Sequence, residues 1–146
     1  MRFLLALHLL FAVFAVGPLV HAVTTAARGV RRGDATLTAG SARTARVYSY
    51  ASALVVVIGF GLMSTKEDGK KLGEFGDTWI WVSLLLWIAA TAVTLGVVVT
   101  GLDRVTAAIG REESVVAHTA RIAAAGGVVG LLYAVIVFLM VYRPGA

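Results

Sequence analysis

The sequence predicts an all-α integral membrane protein, a four-helix bundle built from two tandem parallel helical hairpins. Three observations predict it. Hydrophobic residues fill 59% of the 146 positions, where soluble domains carry about 45–50%. Charged residues are 14%, against about 25% in soluble domains, too few to coat a water-facing surface. The apolar residues also fall into four long blocks separated by charged segments. The length suits a single domain, residues 1–146.

A helix needs about 20 mostly apolar residues to cross a hydrocarbon core about 30 Å thick. The first block, from Phe3 to Ala27, carries no charge. It also has the outline of a signal peptide, with Arg2 before an apolar stretch and Val20-His21-Ala22 as a cleavage site. We expect the block to be retained as the first span. Gly17-Pro18 predicts a kink, because proline removes the amide that would bond to the Phe14 carbonyl. The second block runs from Val47 to Met63, extended into the interface by Tyr48 and Tyr50. The third runs from Thr78 to Leu102 and the fourth from Ile122 to Tyr142. None alternates in polarity, as β-barrel strands do.

Two matches point to an internal duplication. Ala42-Arg43-Thr44-Ala45-Arg46-Val47 before the second span resembles Ala117-His118-Thr119-Ala120-Arg121-Ile122 before the fourth. Thr25-Ala26-Ala27-Arg28-Gly29 after the first span resembles Thr106-Ala107-Ala108-Ile109-Gly110 after the third. The expected units are a hairpin over residues 1–64, a charged loop over 65–77 and a second hairpin over 78–142. Two spans per hairpin make the repeats parallel, related by an axis along the membrane normal.

Positive charge sets orientation. The segments 28–46 and 103–121 hold Arg28, Arg31, Arg32, Arg43, Arg46, Arg104, Arg111 and Arg121, eight in all. The other side holds Arg2, Lys66, Lys70, Lys71 and Arg143, five in all. The positive-inside rule makes segments 28–46 and 103–121 cytoplasmic loops and puts both termini outside. Composition rich in Ala, Val, Gly and Arg reads as bacterial, so the expected location is a bacterial inner membrane, with the chain multi-pass. Trp79, Trp81 and Tyr142 mark the outer interface. Glu67, Asp68, Glu74 and Asp77 read as a solvated acidic set in the outer loop. Arg28, Arg31, Arg32, Arg43 and Arg46 are offset only by Asp34, and form a patch suited to anionic lipid or a partner. The net charge of +5 does not imply nucleic acid, because no aromatic residues interleave with the basic ones.

Transmembrane helices associate through close packing of small residues. Gly126, Gly130 and Ala134 form one stripe on the fourth helix, and Ala92, Gly96 and Thr100 another on the third; Gly59 and Gly61 lie in the second. Such stripes seal a bundle or dock it on another membrane subunit.

Few residues carry chemistry. The spans hold no Asp, Glu, Lys or Arg, which pumps and coupled transporters use at depth. There is no cysteine, hence no disulfide and no thiolate metal site. No metal or catalytic constellation is apparent. His8, His21 and His118 remain. His8 and His21 lie on different faces of the first helix, about 20 Å apart at 1.5 Å per residue. His21 and His118 lie toward the same side and could meet at one level. Paired imidazoles suit b-type haem, and a single one suits a quinone carbonyl. The expected reading is ordinary polar anchoring with no cofactor, and b-type haem is its alternative.

Leu7-His8-Leu9-Leu10, Gly17-Pro18 and the Arg-rich segment ending at Arg46 resemble the first hairpin of an uncharacterised bacterial family of small four-helix predicted integral membrane proteins. The stretch is more loosely similar to the copper-resistance D and protoporphyrinogen-oxidase membrane types. That resemblance implies a functional first-helix histidine, here His8. The oxidase type also uses a buried basic residue, and the spans contain none. The function expected from all of this is a non-catalytic accessory or structural subunit of a larger bacterial membrane complex, a respiratory complex being one candidate. The alternatives are a haem- or quinone-binding redox protein and a passive small-solute channel.

Overall fold

The computed structural model describes residues 2–64, 66–67, 70–71 and 76–143. Four helices dominate it: α1 (Arg2–Arg32), α2 (Ala35–Met63), α3 (Thr78–Gly110) and α4 (Val116–Tyr142). Each is long and apolar enough to span a membrane. They form a ring in which α1 packs on α2, α2 on α3, α3 on α4 and α4 back on α1. Between α2 and α3, Lys66–Glu67 pairs antiparallel with Lys70–Lys71. Asp68 and Glu74 of the acidic set lie outside the described residues.

The two supposed cytoplasmic loops, 28–46 and 103–121, are mostly helix. α1 continues through Arg32 and α2 starts at Ala35, so Gly33 and Asp34 alone make the first turn. α3 continues through Gly110, and only 111–115 separate it from α4. Charge marks where a helix leaves hydrocarbon, not where it ends. Since α3 has 33 residues and about 20 suffice to cross, its charged end extends beyond the apolar layer. The uncharged segments of all four helices face the end that carries the termini. The opposite end is a helical stub closed by two tips.

Both tips use the same device. At the first, Gly33 N–H donates to the Val30 carbonyl and Asp34 N–H to the Gly29 carbonyl, each at 3.1 Å, with Gly33 at φ +61°. This is a Schellman closure, in which a left-handed residue turns the chain out of the helix. The Asp34 carboxylate then accepts from the Thr36 and Leu37 amides, capping α2. At the second tip, Glu112 N–H donates to Ile109 and Glu113 N–H to Ala108. The left-handed residue there is Glu112, at φ 58°.

The core is concentrated toward the tips. Leu19, Ala26, Ala45, Val98, Leu102, Val105 and Val129 are fully buried. At the other end Phe3, Val13 and Phe14 of α1 are exposed, as lipid-facing side chains are. Proline at 18 does not interrupt α1.

α3 contains a π-helical turn at Thr94–Val99. Ala90, Thr94, Val98 and Leu102, all fully buried, recur every four residues. At about 100° per residue an α-helix advances about 40° too far at each such step. The wider turn absorbs that drift and keeps the four on one face. The Thr94 hydroxyl donates to the Ala90 carbonyl and the Thr100 hydroxyl to the Leu95 carbonyl, bonding one backbone oxygen just before the widened turn and one within it.

Candidate functional site

The Gly126–Gly130 stripe joins α4 to α1. A Cβ on Gly126 would fall on the Val23 carbonyl, and one on Gly130 would meet Thr24 Cγ2 at 3.2 Å. Absent side chains therefore set the separation of the two backbones. Ala134, next in the stripe, is exposed and takes no part in this seam. Ala92 and Gly96 are also exposed, and a Cβ on Gly96 would meet nothing within 4 Å. Of these five small residues, two hold the bundle together and three lie on its outside.

The histidines do not form a pair. The Val23–Gly126 contact fixes the register of α1 against α4. His118 lies eight residues toward the tips from Gly126, about 12 Å along the axis, while His21 lies on the other side of Val23. His21 is exposed and lines a groove between α1 and α2, whereas His118 lines a small recess with Gly96, Thr100, Gly101, Arg104 and Arg121, between α3 and α4. The expectation that they meet at one level is corrected by that register. Among the described residues no group of three or more His, Asp or Glu is placed to hold a metal ion.

His8 is different: it is buried and faces α2. Its ring lies on Gly59, where a Cβ would come within 3.2 Å of Cε1, beside the Val55 backbone. Its Nδ1 is buried without a hydrogen-bond partner among the described residues.

A polar cluster in the middle of the bundle was not visible from the sequence. Trp87 Nε1 of α3 donates to Ser52 Oγ of α2 at 3.0 Å, and Ser52 Oγ donates to the Ser49 carbonyl at 2.6 Å. Tyr133 of α4 turns its hydroxyl toward Ser52 and Thr91, short of full hydrogen-bond geometry. Three helices thus share one hydroxyl-rich level. Nearer the tips, Thr38 and Thr106 hydroxyls meet at 2.7 Å, and Arg46 donates to Asp103 at 2.8 Å.

That last pair divides the basic patch. Arg46 bridges α2 to α3 and is committed to the bundle. Arg28 and Arg32 instead line the α1–α2 groove with His21, Thr25, Thr36 and Thr44. Arg31 and Arg43 are exposed and outside it.

The fold and these sites define a multi-pass membrane helical bundle. Comparisons with protein-family models, with curated proteins and with solved structures found no match for this chain.

Proposed function

We propose that this chain is a non-catalytic accessory subunit of a larger bacterial membrane complex, seated in the inner membrane with both termini outside and both helical tips cytoplasmic. The observation that supports it is the outer face of α3. Trp81, Leu85, Ile88, Ala92 and Gly96 are all exposed and fall three to four residues apart, on one side of the helix. The ridge is bulky near the termini and nearly bare at Ala92 and Gly96, where another helix can bring its backbone close. The bundle's own helices use a different glycine pair, so this face is left for a partner.

Purification of a tagged chain at native expression is the test. A larger partner should copurify, and a photo-reactive residue at Ala92 should crosslink to it. A monodisperse lone protein, with no crosslink from Ala92, sinks the reading. The quinone- or haem-binding alternative rests on the unpartnered Nδ1 of His8, and predicts a visible-range absorbance or bound quinone that His8→Ala removes.

A further inference from the structure

The groove between α1 and α2 has a volume of about 360 Å³. Its chemistry changes along its length. Toward the tips it is lined by Arg28 and Arg32, with the Thr36 hydroxyl group opposite; further along come Thr25, Ser41 and Thr44, and then Ala22. Arg28 and Arg32 are one helical turn apart, so both side chains leave the same face of α1. Neither is paired with a carboxylate among the described residues. The nearest acid in the chain, Asp34, spends its carboxylate on the amides of Thr36 and Leu37. Gly40 in the wall leaves open space, since a Cβ there would meet nothing within 4 Å.

We infer that this groove is a specific site for the phosphodiester headgroup of an anionic phospholipid. Two guanidinium groups present donors to phosphate oxygens in the geometry that favours bidentate binding. Hydroxyls on the facing helix supply further donors. The groove begins where α1 turns from uncharged to charged, the depth at which a headgroup lies. Its other end, at Ala22 and the exposed His21, opens toward the apolar part of the span, the direction an acyl chain takes. A diffuse surface patch would use all five arginines alike. Here Arg46 is engaged by Asp103, and Arg31 and Arg43 lie outside the groove, so the site selects two.

The inference is independent of the accessory-subunit reading and is tested on the lone purified chain. The full-length protein is titrated with phosphatidylglycerol and, separately, with phosphatidylcholine, and bound lipid is read by native mass spectrometry. Wild type should hold one phosphatidylglycerol in preference to phosphatidylcholine. Arg28→Gln with Arg32→Gln should weaken that binding about tenfold or more, while Arg31→Gln should stay within about twofold, as a screened surface charge does. Gly40→Leu should also abolish binding by filling the groove, with thermal stability kept, because leucine suits a helix better than glycine. Excess inorganic phosphate should fail to displace the lipid. Displacement by phosphate would make free phosphate the ligand and overturn the lipid assignment. Equal losses in the Arg31 and Arg28/Arg32 variants, or full binding by Gly40→Leu, would overturn the groove altogether.

Discussion

Gly126→Ala adds one methyl group at the point where α4 touches α1, and the structure gives that methyl nowhere to go. Its position overlaps the Val23 carbonyl, a backbone atom inside an unbroken helix. A flexible side chain would swing aside; this carbonyl moves only with its helix. Restoring ordinary contact separates the two helices locally by roughly 1 Å, and a gap of 0.5–1 Å already forfeits a quarter to a half of each dispersion contact. The buried cluster at stake includes Leu19, Val23 and Ala26 of α1 and Ile122, Ala125 and Val129 of α4. Overpacking costs of about 1–3 kcal/mol are typical, and we place this variant at about 3 kcal/mol because nothing flexible can yield. Gly127→Ala is the internal control, since its Cβ would meet nothing within 4 Å. It should be neutral, or stabilising by up to about 1 kcal/mol from helix propensity. Reversible unfolding in mixed detergent micelles with increasing dodecyl sulfate measures both. If Gly126→Ala unfolds within about 0.5 kcal/mol of Gly127→Ala, less than the propensity term alone, the seam is not set by that glycine.

Other perturbations have definite outcomes in the same assay. Trp87→Phe removes the donor to Ser52 and should cost about 1 kcal/mol, with Ser52→Ala adding little more on top of it. Asp103→Asn should cost at most about 1 kcal/mol, because both side chains of the pair with Arg46 are about half exposed; a larger loss would mean the pair does more than link α2 to α3. Glu112→Gly relieves a non-glycine residue in the left-handed region and should stabilise by about 1 kcal/mol. Orientation is read with single cysteines, since the chain has none of its own. In intact cells an impermeant maleimide should label Ser64→Cys and spare Ser114→Cys, and the reverse pattern would invert the proposed topology.

The spans were legible because hydropathy accumulates over some twenty residues and needs no tertiary information. Their ends were not. Arg28, Arg32, Arg43 and Arg46 read as loop, yet arginine is a good helix former and sits comfortably on a helix that has left the lipid. The candidate sites depended on registers that no single helix encodes. Ser52, Trp87 and Tyr133 come from three spans, and only the packing of α2, α3 and α4 brings them to one level. His21 and His118 seemed matched in depth until Val23 against Gly126 fixed how α1 and α4 slide past each other. Arg46 was indistinguishable from its neighbours without the position of Asp103 on α3.

The wide turn at Thr94–Val99 makes α3 a vernier between two sets of contacts. Residues before it are indexed to Ser52 and Tyr133, and residues after it to Arg46 and Thr38. Removing one residue inside the turn, such as Gly96, would let an unbroken α-helix form, and because the widened turn takes up about one extra residue the flanking segments would keep their faces. Asp103 would stay on Arg46 and Thr106 on Thr38. Removing Gly101 instead, just beyond the turn, would rotate the far segment by about 100° and draw it in by about 1.5 Å. Asp103 would then leave Arg46 and Thr106 would leave Thr38, although none of these residues had been altered. One-residue deletions are thus absorbed inside the turn and read out by two polar bonds when they fall beside it.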